Sequence, residues 1–209
     1  IASAQGSPAE RYLGWMSTFK PAVKNELYTD EFNNKIRNND VLGFLGKWFA
    51  RANGAGLVDT VLLTDQMTYL PDDLLVKVDI ASMANTLEAR SPFLDHHLME
   101  FAASLPENLK IKGLKTKYLL KKIAARLVPP DVIYRQKMGF GVPVGRWFRG
   151  EMKDLVRDVL LSETAAKRGI ARPQVVERMV NAHLSGEQDL TYQIWTLLVL
   201  ELWHRRFID

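Results

Sequence analysis

Eight charged side chains between Leu70 and Lys137 carry whatever chemistry this sequence holds. Asp73, Lys77, Asp79, Glu88, Arg90, Lys115, Lys117 and Lys137 lie within or beside apolar helical patterns, where a charge needs a partner or a ligand. Lys117 is the sharpest case. The pattern T-K-Y-L-L-K predicts that Thr116 caps a helix and that Lys117 occupies its first turn. A cation there meets the positive end of the macrodipole, which is unfavourable by roughly 0.3–1 kcal/mol. Lys115 lies just before it, and Lys121 is one turn on along the same face. An anion would resolve the conflict, because free amides and ammonium groups would converge on one oxyanion. The competing reading extends Lys117 into water, where the conflict is small.

Asp73 and Lys77 have the i, i+4 spacing of a helical pair. Asp79 falls among Val78, Ile80 and Ala81, and Glu88 and Arg90 flank the expected helix end at Arg90-Ser91-Pro92. Such charges either form an ion-pair network that fixes helix packing or line a substrate pocket. Histidine metal ligation has little support. His96 and His97 are adjacent, so their rings are expected to point apart on a helix, and His183 and His204 are isolated. No metal site is expected. Neither a dinucleotide fingerprint nor a Walker A loop occurs.

The elements that must position these groups are mostly helical. Helical patterns run near Arg11–Phe19, Asp30–Arg37, Leu42–Ala52, Leu57–Tyr69 and Asp72–Arg90. Asp95 is a credible N-cap for the next helix, whose Leu98, Phe101, Ala102 and Leu105 should face inward before Pro106. The basic helix after Thr116 has Leu119, Leu120, Ile123, Ala124 and Leu127 on its apolar side and ends at Pro129-Pro130. A glycine-bearing loop, Gln136 to Val144, precedes amphipathic stretches near Trp147–Leu161, Pro173–Leu184 and Leu190–Phe207. Strands are scarce, so the fold class read here is mainly α.

Composition bounds the rest. The chain has 209 residues, 47% of them hydrophobic, enough to bury a core. It has no cysteine, which excludes disulfides and thiolate metal sites and fits a reducing cytoplasm. The run from Ile194 to Trp203 is too short to span a bilayer and carries Glu201, so no membrane partner is expected. The net charge of +4 hides an asymmetry: residues 110–137 hold nine basic side chains against Asp131 alone, leaving the remainder at −4. That segment is either a solvated basic face or an anion site for a phosphorylated ligand or nucleic acid. Nucleic acid is the weaker alternative, since neither aromatic interleaving nor a recognised motif supports it.

Three ordered stretches, YLPDDLLVKVDIASMANTLEARSPFLDHHLMEF, LKTKYLLKKIA and YRQKMGFGVPVGRWFRGEM, resemble the C-terminal part of glutamine-dependent asparagine synthetases. The resemblance covers roughly 57–209, with 1–56 a loosely matching helical lead-in. It implies the C-terminal helical portion of an α/β, adenine-nucleotide-hydrolase-like (PP-loop) synthetase domain, joined in such enzymes to a glutaminase domain. It further implies an ATP-dependent ligase using Mg²⁺. The enzyme would adenylate the aspartate side-chain carboxylate and attack the product with glutamine-derived ammonia, in the cytoplasm and as a possible homodimer. By position, Lys117 matches the family lysine that stabilises charge near the α-phosphate and pyrophosphate. Asp73, Lys77, Asp79, Glu88 and Arg90 fall in the family's most recognisable helix, with Lys115 and Lys137 as further lining. The S-G-G-x-D-S loop, the acidic G-D-E segment and the nucleophilic cysteine are absent from the sequence, so the main ATP and Mg²⁺ contacts are expected outside it. This chain alone is expected to be inactive. Relatives that amidate other carboxylates leave the acceptor open, as does a non-catalytic basic helical module.

Overall fold

The computed structural model describes residues 6–52, 54–136, 139 and 141–209. Fifteen α-helices and a single two-stranded hairpin account for its regular structure among these residues, as the scarcity of strand patterns predicts. The contacts divide the chain into two compact units, 1–12 with 41–138 and 13–40 with 139–209. The division falls inside α1 (Pro8–Met16).

The unit made of 13–40 and 139–209 holds the larger apolar core. It contains α2 (Pro21–Leu27), α3 (Asp30–Lys35), α11 (Val144–Arg149), α12 (Lys153–Leu160), α13 (Glu163–Lys167), α14 (Pro173–Ser185) and α15 (Thr191–Phe207). Leu27, Phe148, Val156, Val180 and Ile194 are fully buried at its centre. Helix periodicity explains this: Val156, Val159 and Leu160 lie on one face of α12, and Val176, Met179, Val180 and His183 on one face of α14. The apolar run at 194–203 folds into α15, with Ile194, Leu197, Leu198 and Glu201 inward. No helix among the described residues is long and apolar enough to cross a membrane. The stretch predicted as one helix over 147–161 is broken at Gly150 into α11 and α12.

The other unit is built from α4 (Val41–Arg51), α5 (Leu57–Met67), a π-helical turn at Leu70–Leu75 running into α6 (Val76–Met83), a 3₁₀ turn at Pro92–Leu94, α7 (His96–Ser104), α8 (Glu107–Lys110), strands β1 (Ile111–Lys112) and β2 (Lys115–Thr116), α9 (Tyr118–Ala124) and α10 (Pro130–Tyr134). Its buried residues are few: Tyr12, Leu45, Ala52 and a threonine stripe on α5. Thr60, Thr64 and Thr68 each donate a hydroxyl to the carbonyl four residues earlier. Their polar atoms are thus satisfied locally and the methyls can pack. Tyr12 closes this side, donating its hydroxyl to Asp65 at 2.6 Å; burial, then that carboxylate, pushes its phenol up to about 12.

Two helix ends differ from the sequence reading. The helix expected to reach Arg90 stops at Met83. Thr86 adopts a left-handed conformation, φ 56°, while the Thr86 and Leu87 amides donate to the Met83 and Ser82 carbonyls. This is a Schellman terminus with threonine where glycine is usual, and it releases 87–91 into an arm. The basic helix expected to reach the prolines ends at Ala124.

Candidate functional site

The hairpin decides where Lys117 sits. β1 and β2 pair with Lys112 opposite Lys115 and Ile111 opposite Thr116. The turn between them is Gly113-Leu114, with Gly113 at φ 59°, a value that suits the first central position of a tight two-residue hairpin turn. Thr116 is therefore strand and does not cap α9. One residue remains to convert strand into helix, and Lys117 does so with φ 54°, ψ 39°. It is the N-cap residue, one position before the predicted first turn. α9 has only seven residues, so the macrodipole argument for an anion there weakens. A left-handed lysine is uncommon and carries strain of about 1–3 kcal/mol.

Lys117 lines an open cavity of about 560 Å³. Leu62, Phe93, Leu98, Leu119 and Ile123 contribute its apolar walls, with Gln66, Lys110 and Lys117 as its polar members. The Lys110 ammonium is already committed, 2.6 Å from Asp59 Oδ1 and 2.9 Å from the Ala103 carbonyl. Lys117 has no carboxylate within ion-pairing range among the described residues. The inward-facing set predicted for α7 also lines this space: Leu98, Phe101, Ala102 and Leu105. Leu98, Phe101 and Ala102 nevertheless stay exposed and α7 buries none of its residues, so this face is not packed inward here.

A second open cavity, about 550 Å³, adjoins the first through their shared lining residue Leu94. Asp79 of α6 and Arg90, Ser91 and Asp95 of the arm line it. Asp95 also caps α7 as predicted, accepting from the Leu98 amide at 3.1 Å. Asp79 and Arg90 thus meet at one cavity, with Lys117 at its neighbour. The other predicted residues stand apart. Asp73 and Lys77 form their i, i+4 pair at 3.7 Å on an exposed face, an arrangement worth a few tenths of a kcal/mol at most, roughly. Glu88 binds Arg90 at 2.7 Å, both well exposed, and lines neither cavity. Lys115 lies on β2 opposite Lys112. Lys137 lies outside the described residues.

Several residues with structural or chemical weight have no local signal in the sequence. Glu107 reaches back to the start of α5, its Oε1 accepting from the Asp59 amide at 3.1 Å. Gly56 permits this, since a Cβ there would fall 2.1 Å from that oxygen. Tyr118 lies between two lysines, with Lys112 Nζ 5.1 Å and Lys122 Nζ 5.3 Å from its ring centroid. In the other unit Glu201 is 4% exposed and is held by Arg168 and by Arg205 at 2.8 Å. Arg168 also binds Asp209 at 2.6 Å. Burial raises the Glu201 carboxyl, but bonds from Arg168 and then Arg205 outweigh it and hold it below its usual range. His183 is fully buried, its Nδ1 accepting from the Leu190 amide at 3.2 Å. Burial, then the nearby Arg149, pushes it down. The rings of His96 and His97 do not point apart: their centroids are 3.8 Å from one another. At the start of α7 no preceding helical turn restricts their rotamers. Among the described residues no group of three or more histidine, aspartate or glutamate side chains could hold a metal ion.

Comparison with known proteins adds the family context. The family model described as asparagine synthase matches residues 3–205. "Asparagine synthetase [glutamine-hydrolyzing] 1" of Bacillus subtilis is 33% identical over 195 residues, covering 93% of this chain and 30% of that protein. A "putative asparagine synthetase [glutamine-hydrolyzing]" of Mycobacterium bovis is 34% identical over 201 residues, 96% of this chain and 30% of that protein. "Amidase chyE" of Penicillium rubens is 29% identical over 165 residues, 76% of this chain and 23% of that protein. The chain therefore spans under a third of the length of these relatives. No solved structure matches it significantly.

Proposed function

We propose that this chain, which belongs to the asparagine synthase family, is the C-terminal, mainly helical portion of an ATP-dependent, glutamine-hydrolysing asparagine synthase. Residues 57–209 belong to its synthetase domain, and the segment before them leads into it. The rest of that domain supplies the α/β, PP-loop-type body and most contacts to ATP and Mg²⁺, and a glutaminase domain supplies ammonia. The absence of cysteine suits a cytoplasmic enzyme.

In this reading the aspartate side-chain carboxylate attacks the α-phosphorus of ATP. A new O–P bond forms, the α–β bridging bond breaks, and pyrophosphate leaves with the electron pair. Ammonia then attacks the acyl carbon, AMP departs and a proton is lost. Negative charge grows on the α-phosphate and leaving oxygen in the first step. Lys117 is the residue we assign to meet it, as a cation beside a largely apolar, open wall. Asp79 and Arg90 line the adjoining space and support the acceptor side; Asp73, Lys77, Glu88, Lys115 and Lys137 belong to the surrounding frame. Bound Mg²⁺ would neutralise phosphate charge, but the described residues offer no fitting metal centre, and no step above runs through one.

The observation that carries this reading is the left-handed Lys117, without a carboxylate partner among the described residues, lining the 560 Å³ cavity. In the complete enzyme, Lys117→Ala should cut synthetase turnover about 10²-fold or more, equivalent to about 3 kcal/mol of transition-state stabilisation. Lys121→Ala, one turn further along, should be much milder. Pyrophosphate release under saturating ammonia measures both, with thermal melting as a control for folding. Equal, near-normal rates would show that Lys117 is a solvated surface lysine.

A second reading keeps the activation chemistry and changes the acceptor to a peptide or polysaccharide-linked carboxylate. Its motivation is that a relative is named by a different activity, an amidase, so the family name alone does not fix the acceptor. Turnover with aspartate against larger carboxylates separates the two.

A further inference from the structure

The basic segment folds into an arrangement in which like charges converge. Lys112 and Lys115 are direct cross-strand partners, a placement that opposite charges favour and like charges oppose. Lys112 and Lys122, from β1 and α9, come to the same phenol ring, at 5.1 and 5.3 Å from its centroid. Their ammonium groups are thus at most on the order of 10 Å apart, within about one Debye length. Among the described residues, Lys112, Lys115, Lys121 and Lys122 have no carboxylate in ion-pairing range. Lys110, two residues upstream, does have one, in Asp59. The fold therefore neutralises a lysine of this run where it is buried and leaves the exposed ones uncompensated.

A plain solvated face would let long lysine side chains splay apart into water. Here two of them are drawn to one aromatic ring, which attracts cations to its face. The register that sets this up is fixed by the tight Gly113-Leu114 turn. The phenol responds: bonds from Lys122 and then Lys112 pull Tyr118 below its ordinary range. None of these three residues lines the Lys117 cavity.

We propose that Lys112, Tyr118 and Lys122 form a subsite for a diphosphate or longer phosphate chain, separate from Lys117. Two ammonium groups held to one ring, as compact point charges, suit an anion that carries several charges over two or more phosphates. Tyr118 acts as the positioning residue, holding both cations by its ring and hydroxyl. The choice of phosphate chemistry rests on the reading of the chain as part of a nucleotide-using ligase.

The test is calorimetric titration of the full-length protein with inorganic pyrophosphate and, separately, orthophosphate and sulfate at fixed ionic strength. Pyrophosphate should bind tighter than either probe, each of which has a single anionic centre. Lys112→Ala and Lys122→Ala should each weaken it several-fold, and the double variant by about 30-fold, some 2 kcal/mol. Tyr118→Ala should approach the double variant, whereas Tyr118→Phe, which keeps the ring, should lose only two- to three-fold. Lys153→Ala, at an exposed lysine of the other unit, should change nothing. Unaltered pyrophosphate affinity in the double variant would overturn the proposal. So would duplex DNA that binds through the same lysines and displaces pyrophosphate at equal phosphate concentration. The Lys117 measurement stays separate: normal turnover in Lys117→Ala alongside pyrophosphate loss in the double variant would remove the reaction assignment and leave the subsite standing.

Discussion

Glu201 offers the clearest energetic test of the second unit. It is 4% exposed on α15, yet it interrupts an otherwise apolar run. Its carboxylate accepts from Arg168 through both oxygens and from Arg205 Nε at 2.8 Å. Glu201→Gln keeps the shape and one acceptor but removes the charge. Deleting one partner of a buried ion pair costs about 3–5 kcal/mol when the survivor is stranded. Here the survivors are not stranded. Arg168 keeps both bonds to Asp209, and Arg205 keeps the Val159 carbonyl and Ser162 hydroxyl. The loss should therefore fall below that range, at about 2 kcal/mol. For a chain of this size that is a drop of roughly 4–8 °C in Tm.

Trp195, stacked on the buried Phe148, reports this unit's unfolding by fluorescence. The pH dependence gives an independent check. The folded pKa of Glu201 is depressed, so its stabilisation is complete above the unfolded value near 4.5 and disappears as pH falls through the folded value. The glutamine variant should lose that acid-side slope. Asp209→Asn, on the exposed edge of the network, should lower the Tm less than Glu201→Gln does. A Glu201→Gln protein with unchanged Tm and an unchanged acid limb would refute the reasoning, showing that desolvation had cancelled the arginine bonds.

Two further outcomes follow from single residues. His183 is buried and its folded pKa is depressed below 6.5, so it contributes stability that is fully present above about pH 6.5 and is lost as pH falls through the folded value. His183→Gln, which can still accept from the Leu190 amide, should flatten the melting profile between pH 7 and 5; a parallel profile would show that another group titrates. Thr86→Gly should raise stability by up to about 1 kcal/mol, because glycine relieves the left-handed strain; a lower urea midpoint would mean that the threonine side chain holds contacts outweighing that strain.

What the sequence made legible was local. Asp73 with Lys77, and Asp95 capping α7, are decided within four residues, and the long periodic runs of α14 and α15 appear nearly where expected. The Arg168–Glu201–Asp209 and Glu107–Asp59 contacts span 33 to 48 residues, and no pattern in either segment announces them. The two consequential misreadings have a different cause. Thr116 suits an N-cap and a strand equally well, and the strand won because Gly113-Leu114 supplies a two-residue turn that pairs it with Ile111. The helix after Asp72 ended early because threonine filled a terminus normally marked by glycine. Both errors thus fall at the two non-glycine residues with positive φ among the described residues, Thr86 and Lys117. Local propensity and the adopted conformation disagree there, and a fold sustains such disagreement most readily where function requires it. Thr86 launches the arm that brings Arg90 to the cavity lined by Asp79, and Lys117 lines the adjoining one. The other unit, with the larger core, has positive φ only at glycines among its described residues; there α14 and α15 lie nearly where expected, while the helix predicted over 147–161 is split at Gly150. The distribution of strain therefore points to the same part of the molecule as the charges do, by a route that uses no charge at all.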